Sequence, residues 1–134
     1  MKECSMEISG ESGSKFRFLF RQSRFNQFDF SVILMYYIPN TNILFRLRRY
    51  NGKSHQHENH IEHDGKIYGF HIHKATQRYQ ERPGLREDGF AEITDRYSDY
   101  RMAVMCMIKD CNMTFEDGSR PVSLFEWSIN DDEH

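Results

Sequence analysis

The 134-residue sequence predicts an α+β fold: an antiparallel sheet of four to six strands, packed on one face by a main helix at about residues 97–112. Three observations carry this. Between Lys15 and His73 apolar side chains recur at every second position, the period of a strand with one buried face. Between Tyr97 and Asn112 they recur at every third or fourth position, the period of an amphipathic helix. Turn-forming clusters separate these runs at short intervals, as in a sheet built from hairpins.

Taken in order, residues 1–14 hold Gly10-Glu11-Ser12-Gly13-Ser14 and read as a flexible leader, so that a single domain is expected over 15–134. The first strand alternates Phe16, Phe18 and Phe20 with Arg17, Leu19 and Arg21. In the second, Phe28, Phe30, Val32, Leu34, Tyr36 and Ile38 share a face. Pro39-Asn40-Thr41-Asn42 turns the chain. The third places Ile43, Phe45 and Leu47 on one side and Leu44, Arg46, Arg48 and Tyr50 on the other. A polar loop over 53–65 closes at Asp64-Gly65, and a fourth strand, Lys66–His73, puts Tyr68, Phe70 and Ile72 toward the core and His71 and His73 away from it. Ala75–Glu81 suits one helical turn before Pro83-Gly84, and Phe90–Thr94 a short fifth strand. Tyr97, Tyr100, Val104, Met107, Ile108 and Cys111 form the helix stripe, with Thr94 or Ser98 as N-cap. Val122–Trp127 reads as an edge strand ahead of the acidic Asp131-Asp132-Glu133-His134 end.

Composition bounds the function. At 38% hydrophobic and 14% aromatic the chain carries enough apolar surface to fold. Its longest apolar run, Val32–Ile38, is far short of the roughly 20 residues of a membrane span. No basic head followed by an apolar centre opens the sequence, so no membrane association and a cytoplasmic location are expected. Cys4, Cys106 and Cys111 cannot all pair and form no short Cys-x-x-Cys, which predicts reduced thiols, with Cys106 and Cys111 acting as small buried hydrophobes. The net charge of −2 conceals a segregation: residues 15–86 hold 13 Lys or Arg against 5 Asp or Glu. A basic middle with acidic flanks either offers phosphates a working surface or is neutralised by its own ends folding back.

Six of the seven histidines, His55, His57, His60, His63, His71 and His73, lie within residues 55–73, and three causes stand open. The His-x-His spacings let His55, His57, His71 and His73 hold a divalent metal, since positions two apart on a strand point the same way. Alternatively, no cofactor is used and histidine serves as acid and base in RNA cleavage, with arginine stabilising the phosphorane. His71 and His73 are then the proton-transfer pair, Arg48 and Arg78 the phosphate clamps and Tyr50 an orienting hydroxyl. Arg46, Arg49, Lys53, Lys74 and Arg82 supply positive potential for binding nucleic acid. The third cause is structural: solvated or backbone-bonded histidines on a surface that binds without cutting.

Arg48-Arg49-Tyr50-Asn51-Gly52, the histidine loop, Phe70-His71-Ile72-His73 and the helix ending Asp110-Cys111-Asn112 give residues 28–112 a layout that resembles small bacterial proteins of the TumE type, toxins of toxin–antitoxin pairs. In that group an early antiparallel sheet leads to an Arg-Tyr-Asp-Asn-like segment, a His-rich stretch and a helix. Here no acidic residue stands between Tyr50 and Asn51, and a second His-x-His pair is present. The resemblance implies a mobile-element or stress-response setting, RNA as target and an antitoxin as partner. The expectation is therefore an RNA-directed toxin, a metal-independent endoribonuclease. The alternative is a phage- or plasmid-encoded inhibitor, of anti-defence or anti-CRISPR type, that binds a nucleic-acid enzyme as its target protein without catalysis.

Overall fold

The computed structural model describes residues 2–114. In chain order these form β1 (Lys2–Ser9), β2 (Lys15–Gln22), β3 (Phe30–Tyr37), β4 (Leu44–Asn51), β5 (His57–Glu58), β6 (Lys66–Ile67), β7 (His71–Lys74), α1 (Gln77–Glu81), β8 (Phe90–Ile93) and α2 (Tyr100–Asp110). Six strands make one sheet in the order β1-β2-β3-β4-β7-β8, antiparallel throughout, and β5 with β6 forms a small separate ribbon. The architecture is α+β, with α2 packed on one face of the sheet. The expected edge strand Val122–Trp127 and the acidic end lie outside the described residues. Among the described residues, no helix is long and apolar enough to cross a membrane.

The alternating phenylalanines do what their period requires. Phe18, Phe20, Phe30, Val32 and Leu34 project from the sheet onto Tyr97, Tyr100, Ala103, Val104, Met107 and Ile108, with Tyr50 and Ile72 completing the core. Fully burying each large side chain contributes about 1.5–3 kcal/mol, so this face dominates the stability of the domain. The helix is capped by Asp99, whose side chain accepts from the Met102 amide at 2.8 Å, in place of the expected Thr94 or Ser98. Cys4, Cys106 and Cys111 are free thiols, each half-buried.

Three expectations are corrected. Residues 2–9 are no leader. They form β1, whose Cys4, Met6 and Ile8 lie opposite Phe20, Phe18 and Phe16, while Glu3 and Glu7 face Arg21 and Arg17. Gly10–Ser14 is the hairpin loop, with Gly13 at φ +85°. The single fourth strand is two: β6 joins the ribbon, β7 joins the sheet, and Tyr68 between them is 65% exposed instead of buried. The faces of β4 also differ from strict alternation. Leu34 pairs with Arg48 and Met35 with Arg46, so Leu47 is an extra residue, a β-bulge. Such an insertion inverts the parity beyond it. Arg46 and Arg49 therefore share one face, and Arg48 with Tyr50 the other.

Candidate functional site

β4 and β7 are neighbours, as the histidine hypothesis requires, but the register sets Arg49 opposite His73 and Asn51 opposite His71, with Tyr50 opposite Ile72. His71 and His73 point away from α2. They are nonetheless buried, at 4% and 1% exposure, because the chain before β6 and the chain before β8 cover that face. His57, from β5, completes a cluster of three imidazoles: its ring centre lies 5.8 Å from His71 and 4.6 Å from His73, and the last two are 5.1 Å apart.

Each ring is oriented by a backbone carbonyl, and a carbonyl can only accept, which fixes the tautomers. His71 donates from Nδ1 to the Gly69 carbonyl at 2.9 Å, leaving Nε2 to face the Asn51 carboxamide nitrogen at 3.4 Å. His73 donates from Nδ1 to the Asp88 carbonyl at 2.8 Å. His57 donates from Nε2 to the Gly89 carbonyl at 2.9 Å and to Asn59 Oδ1 at 3.0 Å. Burial holds His71 below its ordinary value and pushes His73 down to about 2, with Arg49, His57 and His71 opposing a further positive charge on His73. Both are neutral at physiological pH. A cavity of about 250 Å³ opens beside them, lined among others by Asp29, Arg49, Asn51, His55, His57 and His71.

The cover is locked by buried polar groups. Asn59 mimics a strand: its carboxamide donates to the Ala91 carbonyl and accepts from the Ala91 amide, both at 2.8 Å, along the outer edge of β8. The Tyr79 hydroxyl donates to Glu62 at 2.6 Å and accepts from the Ile61 amide at 3.1 Å, tying the histidine loop to α1. Asp88 is fully buried among Arg46, Arg49 and Arg86, with N–O separations of 3.3–3.4 Å. Neither its carboxylate oxygens nor the Nε atoms of Arg46 and Arg49 make a hydrogen bond among the described residues. These contacts are therefore charge pairing without the directional component, which makes them weaker than the charge count suggests.

The other expected site residues are dispersed. Tyr50 is buried under α2, where its hydroxyl donates to Asp110, accepts from Arg48 Nη1 at 3.2 Å, and its ring stacks on Tyr97. Burial, then the bond to Asp110, pushes the Tyr50 hydroxyl up to about 12. Arg96 grips Asp110 through two nitrogens at 2.7 and 2.8 Å and, with Tyr50, holds that carboxyl down to about 2. Arg48 and Tyr50 thus anchor the helix and do not converge with the histidines. Arg78 is paired with Glu62, and Arg46 with Glu87 at 3.1 Å as well as with Asp88. Lys74 and Arg82 are exposed, and Lys53 stands over the Phe28 and Phe70 rings. Of the four residues considered as metal ligands, His57, His71 and His73 meet while His55 stays at the surface. Among the described residues no group of three or more His, Cys, Asp or Glu is arranged to hold a metal ion.

Asn51, Asn59 and Asp88 escaped the sequence reading. Asn51 carried a signal, being next to Tyr50 in the Arg48–Gly52 segment, whereas Asn59 and Asp88 act through contacts far along the chain. Comparison with family models, curated proteins and solved structures yields no match.

Proposed function

We propose that the protein is a small RNA-directed toxin, a metal-independent endoribonuclease whose reaction is centred on the histidine pocket. The observation that supports this reading is a concave site where His71 and His73, both held neutral by burial, lie with His57, Arg49 and Asn51. His71 Nε2 takes the proton of a ribose 2′-hydroxyl, and the resulting alkoxide attacks the adjacent phosphorus. The 5′-oxygen leaves with a proton donated by His55, which stands exposed at the rim 3.9 Å from Asp29, and a 2′,3′-cyclic phosphate remains. Arg49 offers its charge to the phosphorane. His73, neutral down to about pH 2, positions its neighbours and takes no part in the proton transfer. The toxin setting and an antitoxin partner come from the sequence resemblance of residues 28–112.

The test is cleavage of an end-labelled RNA in chelator. The wild type should yield cyclic-phosphate ends, and His71→Ala should lose about 10²–10⁴-fold in rate, the range for a positioned base. Growth of bacteria expressing the wild type should slow, and growth with His71→Ala should not. Equal cutting by both proteins, or none by the wild type, overturns the reading. A second reading then takes its place, favoured by the internal pairing of Arg17, Arg21, Arg46, Arg49 and Arg96: an inhibitor that binds a nucleic-acid enzyme through protein contacts.

A further inference from the structure

The end of the sheet next to the histidine pocket carries an exposed phenylalanine and exposed basic side chains that the reaction does not use. The turn from Ser23 to Asp29 joins β2 to β3 and is well tied: the Ser23 amide donates to the Asp29 carbonyl at 2.9 Å and the Asp29 amide to the Asn26 carbonyl at 3.0 Å. Ser23 Oγ accepts from the Phe25 amide at 3.1 Å, and Asn26 Oδ1 from the Phe28 amide at 2.9 Å. This ordered turn holds Phe25 at 97% exposure. A phenylalanine presented so fully on this hydrogen-bonded turn forgoes the burial its ring would otherwise contribute. Toward the end of the same turn, Lys53 Nζ lies 4.5 Å from the Phe28 ring and 5.3 Å from the Phe70 ring, and Phe28 meets Phe70 at 6.0 Å. The Lys53 amide donates to the Phe28 carbonyl at 2.9 Å, so the turn and the chain leaving β4 are one unit. Asp29 and Gly52, the neighbours of Phe28 and Lys53, line the pocket itself.

We propose that this rim is the landing surface for single-stranded RNA, with Phe25 as the stacking platform and Arg24 and Lys53 as phosphate contacts. The inference rests on the ribonuclease reading for its geometry, since bases stacked here place the backbone at the pocket mouth. Charge complementarity favours a nucleic acid over an apolar partner. Arg24, Lys53 and His55 are all exposed, and the nearby acid on the turn, Asp29, is largely covered. An exposed aromatic face with cations on the same turn and the adjoining chain suits unpaired bases, whose π-faces are open, whereas a duplex hides them.

The experiment is fluorescence anisotropy with a short labelled 2′-O-methyl RNA, which lacks the attacking hydroxyl, so that binding is read apart from cleavage. The single strand should bind more tightly than the same strand annealed to its complement. Phe25→Ala and Lys53→Gln should each weaken binding about fivefold or more, the scale of one lost stacking contact. Phe25→Ala should melt like the wild type, because its side chain packs on almost nothing. The proposal is overturned if the wild type binds no single strand, if the duplex binds as well, or if Phe25→Ala binds unchanged. It is also overturned if Phe25→Ala alters sedimentation and leaves RNA binding alone, which would make the rim a contact between protein copies. Binding that follows this pattern in a protein unable to cut RNA keeps the landing surface and removes only the catalytic reading.

Discussion

Desolvation decides what a histidine can do, and His71, His73 and His55 span the range. His55 is exposed, whereas His73 is enclosed by His57, His71 and the Asp88 carbonyl, where a charged imidazolium would stand next to Arg49 without water. His73 is thus a packing residue with one obligatory hydrogen bond. His73→Ala should destabilise the protein by about 2 kcal/mol or more, through the cavity and the stranded carbonyl, while His55→Ala should stay within about 0.5 kcal/mol. Urea unfolding measures both. The same burial makes stability depend on pH. An unfolded chain protonates this imidazole around its ordinary value of 6.5, and the folded chain keeps it neutral to about 2. Between those values the unfolded state binds more protons, so stability is full above the window and falls as pH drops through it, by up to about 1.4 kcal/mol per unit. Urea midpoints measured from pH 7 to pH 4 should decline accordingly, and His73→Asn should flatten the decline. A wild-type profile without slope there contradicts the buried, neutral His73.

At the scale of elements, two junctions hold the sheet and its helix in position. The last turn of α2 is pinned by Asp110, which accepts from Tyr50 and from Arg96 twice. Asp110→Asn keeps the shape but removes the charge, and hydrogen bonds to charged groups are worth about 1.5–3 kcal/mol, so a loss of about 2 kcal/mol in urea unfolding is expected. The pocket residues on the opposite face should keep their geometry, and any activity at pH 7 should persist. The second junction lies where β4 leaves the sheet. A Cβ on Gly52 would stand 1.8 Å from the Phe28 carbonyl oxygen, because the backbone of the β2–β3 turn rests directly on it. Gly52→Ala must separate the two and should cost about 3 kcal/mol or more, with the Gly52 and Lys53 hydrogen bonds lost together. Amide exchange at Gly52 and Lys53 reads this directly: unchanged protection in the variant would show that the approach is not close.

At the scale of the whole molecule, among the described residues, folding pairs part of the charge that is segregated along the chain. Glu3 and Glu7 of β1 meet Arg21 and Arg17 across the hairpin, Glu87 and Asp88 meet Arg46, Arg49 and Arg86, and Asp110 meets Arg96. RNA binding should therefore depend weakly on salt. With about two phosphates contacted by Arg24 and Lys53, the logarithm of affinity should fall against the logarithm of salt with a slope of about −1.4 for a single strand. A slope several times steeper would mean that the paired arginines are released to the ligand. The α+β class, the faces of β2 and β3 and the stripe of α2 were legible in the sequence, because each follows from a period of two or of three to four set by residues close along the chain. The shared face of His71 and His73 was legible for the same reason. Other features were decided only in the tertiary structure. The bulge at Leu47 sends Arg49, in place of Arg48 and Tyr50, to the histidines; β1 is a strand because Phe16, Phe18 and Phe20 wait beside it; and the histidines are buried by covers anchored through Asn59 and Asp88. Each of these depends on partners many residues away, and a local pattern of apolar and polar positions carries no record of which distant backbone will supply the missing hydrogen bond or exclude the water.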